Sequence, residues 1–197
     1  MLSIKKYYAV FALLLLLSAC GSAPTQQSGN INPKARPVDI PDAASAQYQQ
    51  VLVAVEQKDW ATAESLLLQM QSSYPRILSL KASLGWVYWQ ANKTEQAVTK
   101  LESLIDGKAL YKSDAYNYLA IIYREQGSFK ESETLYKQAL QIWPGDAVLH
   151  KNLGILYELY LGRLPEALAS YKQAQAINRG DKRLNGWVKD LERRTKK

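Results

Sequence analysis

Eleven residues reading YKQALQIWPGD, Tyr136 to Asp146, return 35 positions later as YKQAQAINRGD, Tyr171 to Asp181, with seven of the eleven letters kept. A repeated catalytic loop would be unusual. A repeated supersecondary unit is the ordinary way to build a solenoid, because one unit cannot bury its own apolar stripe and must stack on a copy of itself. Laying residues 113–146 over 147–181 also pairs Leu119 and Ala120 with Leu153 and Gly154, and Tyr123 with Tyr157. The period therefore governs the architecture, and composition adds only that 47% hydrophobic and 22% charged residues suffice for one ordinary core.

The residues Leu119, Ala120, Tyr123, Gly127, Phe129, Ser132, Tyr136, Ala139, Leu140 and Pro144 stand in the order and spacing of the tetratricopeptide repeat, which this stretch resembles. Ser132 takes the place of that family's usual small alanine. Leu84, Gly85, Tyr88, Ala97, Leu101 and Leu104 form an earlier copy, and Trp60, Ala63, Leu67, Met70 and Pro75 close one before it. The resemblance implies an all-α solenoid of about four helix-turn-helix repeats, at about 44–77, 78–112, 113–146 and 147–181, within a domain spanning 43–181. The first repeat carries Gln50 and Val51 in place of the Leu-Gly pair, as a degenerate terminal repeat would. The fourth has one extra residue before Gly162, which predicts a wider inter-helix turn, and Arg179 where the closing proline should be. Pro165 falls in the first turn of its second helix, where a missing N–H does no harm. Residues 182–197 follow as a basic capping helix and tail. Leu184, Trp187, Val188 and Leu191 lie on one helical face, with Asp181 as N-cap.

The chain opens with MLSIKKYYAVFALLLLLSAC, in which two lysines precede an apolar run too short for a spanning helix. Residues 1–19 read as a signal peptide, and LSAC at 17–20 resembles the lipobox of bacterial lipoproteins. That resemblance implies a diacylglyceryl thioether at Cys20, cleavage before it and acylation of the new amine. With Gly21 rather than Asp next, it also implies passage to the outer membrane of a Gram-negative bacterium, facing the periplasm. Residues 20–42, rich in proline and small polar residues, read as a flexible linker with a reach of roughly 25 Å.

No chemistry of a catalyst is visible. His150 is the single histidine and Cys20 the single cysteine, so neither a metal site nor a nucleophile–base pair can be assembled from them. No cofactor, metal or catalytic residue is expected, and His150 reads as a packing residue. The family resemblance instead implies a partner-binding groove lined by the first helix of each repeat. Carried across, its positions give Trp86, Trp89, Asn117, Ile121, Arg124, Lys151 and Ile155, with the two tryptophans as candidate anchors or, alternatively, core. The Asn of the chaperone-type carboxylate clamp is missing.

From Cys20 to Asn178 there are 15 basic and 15 acidic residues, whereas 179–197 hold 8 basic and 3 acidic. Lys182, Arg183, Lys189, Arg193 and Arg194 form a basic tail, either a solvated face or a surface for an anionic lipid, polymer or protein. Export argues against nucleic acid. The expected function is an outer-membrane-anchored scaffold or adaptor binding protein partners in an envelope complex. Weaker likeness points to small repeat proteins of TonB/ExbB-type systems. The alternatives are a pilotin-like factor for type IV pilus or secretin assembly and an adaptor for cell-wall enzymes.

Overall fold

The structure is a computed structural model that describes residues 40–105 and 113–196; the expected signal peptide, Cys20 and most of the linker lie outside them. Among the described residues the chain is all-α. Its helices are α1 (Asp42–Glu56), α2 (Trp60–Ser73), α3 (Leu78–Gln90), α4 (Thr94–Ile105), α5 (Ser113–Glu125), α6 (Phe129–Ile142), α7 (Ala147–Ile155), α8 (Leu164–Ile177) and α9 (Lys182–Thr195). The first eight pack as consecutive antiparallel pairs, each pair stacks on the next, and α9 packs on α8. None of these helices is long and apolar enough to cross a membrane.

Each pair is closed by a three-residue turn with one left-handed residue at its centre. Lys58, Asn92, Gly127 and Gly162 take φ of 58°, 60°, 81° and 64°. In the first turn the Lys58 N–H reaches Val55 O and the Asp59 N–H reaches Ala54 O, so the last carbonyls of α1 are satisfied by a Schellman closure. The same pair of bonds recurs at Asn92–Lys93 and Gly127–Ser128. The fourth turn, Leu161–Arg163, is no longer than the others, which corrects the expectation of a wider one. The extra residue is taken up inside the helix instead. Leu156–Tyr160 form a π-helical turn continuing α7, and the Leu161 N–H bonds to Leu156 O at 3.1 Å. Missing proline at Arg179 changes nothing in length, since Tyr74–Ile77, Trp143–Asp146 and Asn178–Asp181 are all four-residue connectors.

Pairs approach closely because the facing positions are small. Ala63, Ala97, Ser132 and Ala167 are all fully buried, and Ser132 donates its hydroxyl to Ala120 O at 2.7 Å, which is how a serine is tolerated there. A Cβ at Gly85 would lie 2.7 Å from Leu101, and one at Gly154 would lie 2.4 Å from the Tyr171 ring. The helices could not sit where they do with larger residues.

The two ends of the array are finished differently. At the C-terminal end α9, capped by Asp181 on the Leu184 N–H, buries Leu184, Val188 and Leu191 against the last pair. Full burial of three such side chains contributes about 1.5–3 kcal/mol each. At the N-terminal end Val53 is 52% exposed, whereas Val87, Ile122 and Leu156, its counterparts in later repeats, are fully buried. Gln50 is likewise exposed where Leu84, Leu119 and Leu153 are buried. The first repeat thus replaces part of an inter-repeat surface with glutamine, leaving a shallow groove of about 390 Å³ between α1 and α2.

Two glycine substitutions separate packing from propensity. Gly154→Ala drives a methyl into the buried Tyr171 ring and should cost about 1–3 kcal/mol. Gly186→Ala, in α9 with nothing within 4 Å, should stabilise by about 0.5–1 kcal/mol. Urea unfolding of both variants checks the opposite signs.

Candidate functional site: the first-helix face

Polar bridges join the first helices α1 to α3 and α5 to α7 with its π-helical turn. Tyr48 Oη meets Ser83 Oγ at 3.4 Å, Asn152 Nδ2 donates to Asn117 Oδ1 at 2.7 Å, and Tyr160 Oη donates to Glu125 Oε1 at 3.3 Å, each pair 35 residues apart. The period of the sequence is therefore also the register of these contacts. Asn117 and Asn152 are both 1% exposed, and their bond satisfies two amides that burial would otherwise penalise.

Arg124 is the largest fully buried side chain among the described residues, 1% exposed. Its Nε and Nη2 donate to Glu125 Oε1 at 3.2 and 2.7 Å, and its guanidinium lies 5.0 Å from the centre of the Tyr160 ring. Burial opposes the charge, but the nearby hydroxyl of Tyr136 and the Glu125 carboxylate more than offset it, and the guanidinium is held more basic than usual. Removing the Glu125 carboxylate would leave the Arg124 charge buried and without its acidic partner, a change that costs up to about 3–5 kcal/mol where both partners are buried.

These contacts correct the sequence reading of the groove. Trp86, Asn117, Ile121, Arg124 and Ile155 are all buried, so they do not form an open binding surface. The physical reason is direct packing of α3 on α5 and of α5 on α7, which draws these positions into the seam between first helices. Trp86 meets Trp60 edge-on, with centroids 5.7 Å apart, and belongs to the core. Only Trp89 and Lys151 of the predicted set remain half-buried and reachable. Beside them the face offers Gln90, Glu125 and Tyr160, none of which is fully buried.

Sequence reasoning missed Leu159, at 57% the most exposed of the large apolar side chains described, and Tyr160 beside it. Both lie in the π-helical turn. The signal is the extra residue before Gly162, which the structure places in the helix and not in the turn. His150 is half-buried at the helix start, its Nε2 2.9 Å from Pro144 O, and does not sit in the core. Among the described residues no cluster of three or more metal-ligating side chains occurs.

Within the last two pairs, Glu133 receives the Tyr157 hydroxyl at 2.9 Å, Lys137 at 2.6 Å and Arg163 at 3.1 Å. Partial burial works against its charge, yet the hydrogen bonds from Lys137 and Tyr157 and the two cations hold its carboxyl below the usual range. Of the basic tail, Arg193 pairs with Asp190, and Arg194 with Glu158 and Asp190. Lys182, Arg183 and Lys189 form no ion pair among the described residues.

The tetratricopeptide-repeat family model matches residues 111–180. The fold is similar to TTC0263, a thermophilic TPR protein of Thermus thermophilus, at 20% identity over 74% of this chain and 80% of that one, with a TM-score of 0.60. It is similar also to MamA, at 15% identity over 74% of this chain and 84% of that one, TM-score 0.57. The fold is a tetratricopeptide-repeat fold. A third tetratricopeptide-repeat structure, from Parabacteroides merdae, aligns at 19% identity and a TM-score of 0.56 over 77% of this chain but only 60% of its own length. A sequence search of curated proteins finds no match.

Two predictions follow from the buried aromatics. Trp86→Ala should cost about 3–5 kcal/mol of folding stability, several times the effect of Trp89→Ala; denaturant titration of the two variants distinguishes a seam residue from a surface one. Burial raises Tyr136 and Tyr171 well above the ordinary phenol range. Above about pH 10 the unfolded chain releases these protons and the folded chain keeps them, so stability is complete below that pH and falls as pH rises through it. The Tyr136 hydroxyl has no hydrogen-bond partner among the described residues. Tyr136→Phe should therefore flatten the alkaline decline, read from melting curves across pH.

Proposed function

We propose that the chain is a lipid-anchored protein of the Gram-negative outer membrane, held at Cys20, whose periplasmic repeat domain serves as an adaptor in an envelope complex of the TonB/ExbB kind. The tetratricopeptide-repeat fold implies a scaffold for protein–protein interaction, and this is the observation that carries the reading. Such a domain positions partners; its work is binding rather than catalysis. The first helices leave Trp89, Lys151, Tyr160 and Leu159 reachable, aromatic, aliphatic and polar side chains of the kinds that anchor a peptide or helix.

The envelope location is supported by the leader and the LSAC motif at 17–20. Several acyl chains would hold the domain far more firmly than one, and the linker would let it search a shell of roughly 25 Å around its anchor. The TonB/ExbB assignment is supported by the likeness of the fourth repeat and the helix after it to small repeat proteins of those systems.

Cys20→Ser should abolish outer-membrane fractionation and leave an uncleaved or soluble precursor. Normal fractionation of that variant would remove the lipoprotein reading. Crosslinking in intact envelopes, followed by mass spectrometry, should recover ExbB-like proteins; recovery of secretin or wall hydrolases would replace this assignment with a pilotin or cell-wall role.

A further inference from the structure

We infer that the outward face of α9 is a docking surface for anionic phospholipid headgroups. Lys182, Lys189 and Arg193 stand at i, i+7 and i+11, with Gly186 between them and Arg183 alongside, opposite the buried Leu184, Val188 and Leu191. All four cationic side chains are exposed, Arg193 to 77%. They form one ridge, and Gly186 leaves its middle flat.

The ridge departs from what a solvated capping helix would choose. Lys182 and Arg183 occupy the first turn of α9, where the helix dipole disfavours positive charge, and no carboxylate pairs with either among the described residues. Of the acids of the same helix, Asp190 pairs with Arg193 of the ridge and with Arg194, and Glu192 with Lys172, which leaves Lys182, Arg183 and Lys189 as the cations of the ridge that form no ion pair among the described residues. Residues 179–197 hold 8 basic and 3 acidic side chains while 20–178 are balanced at 15 each. The net charge of that part of the chain is concentrated at one end of the array. The Asp181 carboxylate at the N-cap offsets only part of that charge, and a sequence that breaks a local electrostatic rule marks a place where something outside the fold is met.

The occupant is argued from what the ridge lacks. A specific protein interface is built around a buried aromatic or aliphatic anchor within a polar rim. Here the apolar side of α9 is turned into the fold, Trp187 lies tilted against Tyr171 at 5.6 Å, and Arg183 covers the Trp187 ring at 5.4 Å. What faces outward is charge alone on long flexible stems, which suits a diffuse anionic surface and gains with each cation brought near it. A bilayer close to the domain is the one element shared with the proposed function, and it would present those headgroups at high effective concentration.

The test uses the purified full chain with vesicles of zwitterionic phosphatidylethanolamine, alone or mixed with phosphatidylglycerol. Acetylation of Lys182 and Lys189 is followed by mass spectrometry, with Lys58 and Lys130 as exposed internal controls. The expected result is labelling of Lys182 and Lys189 slowed roughly tenfold on the anionic vesicles only, with recovery in high salt and unchanged controls. Equal labelling on both vesicle types overturns the inference, as does protection on both, or protection that appears only when an acidic protein is added. Since the comparison is between two lipid compositions, its outcome does not depend on acylation of Cys20. The fractionation of Cys20→Ser and the labelling pattern can thus fail separately.

Discussion

The distance at which paired helices pack is the constraint on which the rest of the domain depends. At Gly154 there is no room for a Cβ, since the Tyr171 ring stands 2.4 Å from where one would be. That contact fixes the ring, and the fixed ring organises its surroundings. The Tyr171 hydroxyl donates to Glu158 at 3.0 Å, Glu158 accepts from Arg194 of the capping helix, and the ring itself lies against Trp187. One small residue on α7 thereby sets how α8 and α9 meet the last repeat. Gly85 against Leu101 is the same device in a softer form, because a leucine side chain can yield where a clamped aromatic ring cannot.

Most of the fold was legible because its signals are local and periodic. Small residues at Gly85, Ala120 and Gly154, aromatics three positions on, and apolar positions Leu184, Val188 and Leu191 needed only spacing to be placed. Asp181 as N-cap followed from chemistry within one turn. The face of the first helices was less legible. Trp86, Asn117 and Ile121 occupy positions that point inward along the array in tetratricopeptide repeats, but whether such a position is open or sealed depends on how tightly neighbouring first helices close. That is a property of the stack and not of any single repeat. No periodicity in the letters distinguishes Trp86, sealed against Trp60, from Trp89, which is half-open.

Sealing the seam brings polar and charged groups into the interior, and several of them meet a partner one repeat away. The Asn117–Asn152 amide pair and the Tyr160–Glu125–Arg124 group do for neighbouring repeats what a buried polar residue does in a coiled coil, favouring one register over its slipped alternatives. An array of similar units needs this. Apolar ridges repeated every 34 or 35 residues would stack nearly as well with a wrong neighbour, whereas an asparagine paired only with another asparagine would be left unsatisfied. The cost of a misplaced buried amide is about 1–3 kcal/mol, enough to bias assembly toward the observed order.

The extra residue of the fourth repeat shows which parts of the unit resist change. A longer inter-helix turn would have moved Gly162 away from the position where Lys58, Asn92 and Gly127 take the left-handed conformation, and with it the start of α8. That would have pulled the Tyr171 ring off Gly154. Taking the residue into a π-helical turn keeps the turn, the start of α8 and the close contact. The disturbance is confined to Leu156–Tyr160, where the Arg163 N–H now reaches back to Tyr157 O. The shift also rotates the end of the helix. Tyr160 comes to lie over Arg124 and against Phe129, at 5.0 and 5.5 Å, while Leu159 turns to solvent. The insertion that the core could not accept is thus expressed as an apolar side chain on the surface. A local irregularity is where a repeat array stops being interchangeable with others of its fold, and here it adds an exposed aliphatic group to the surface.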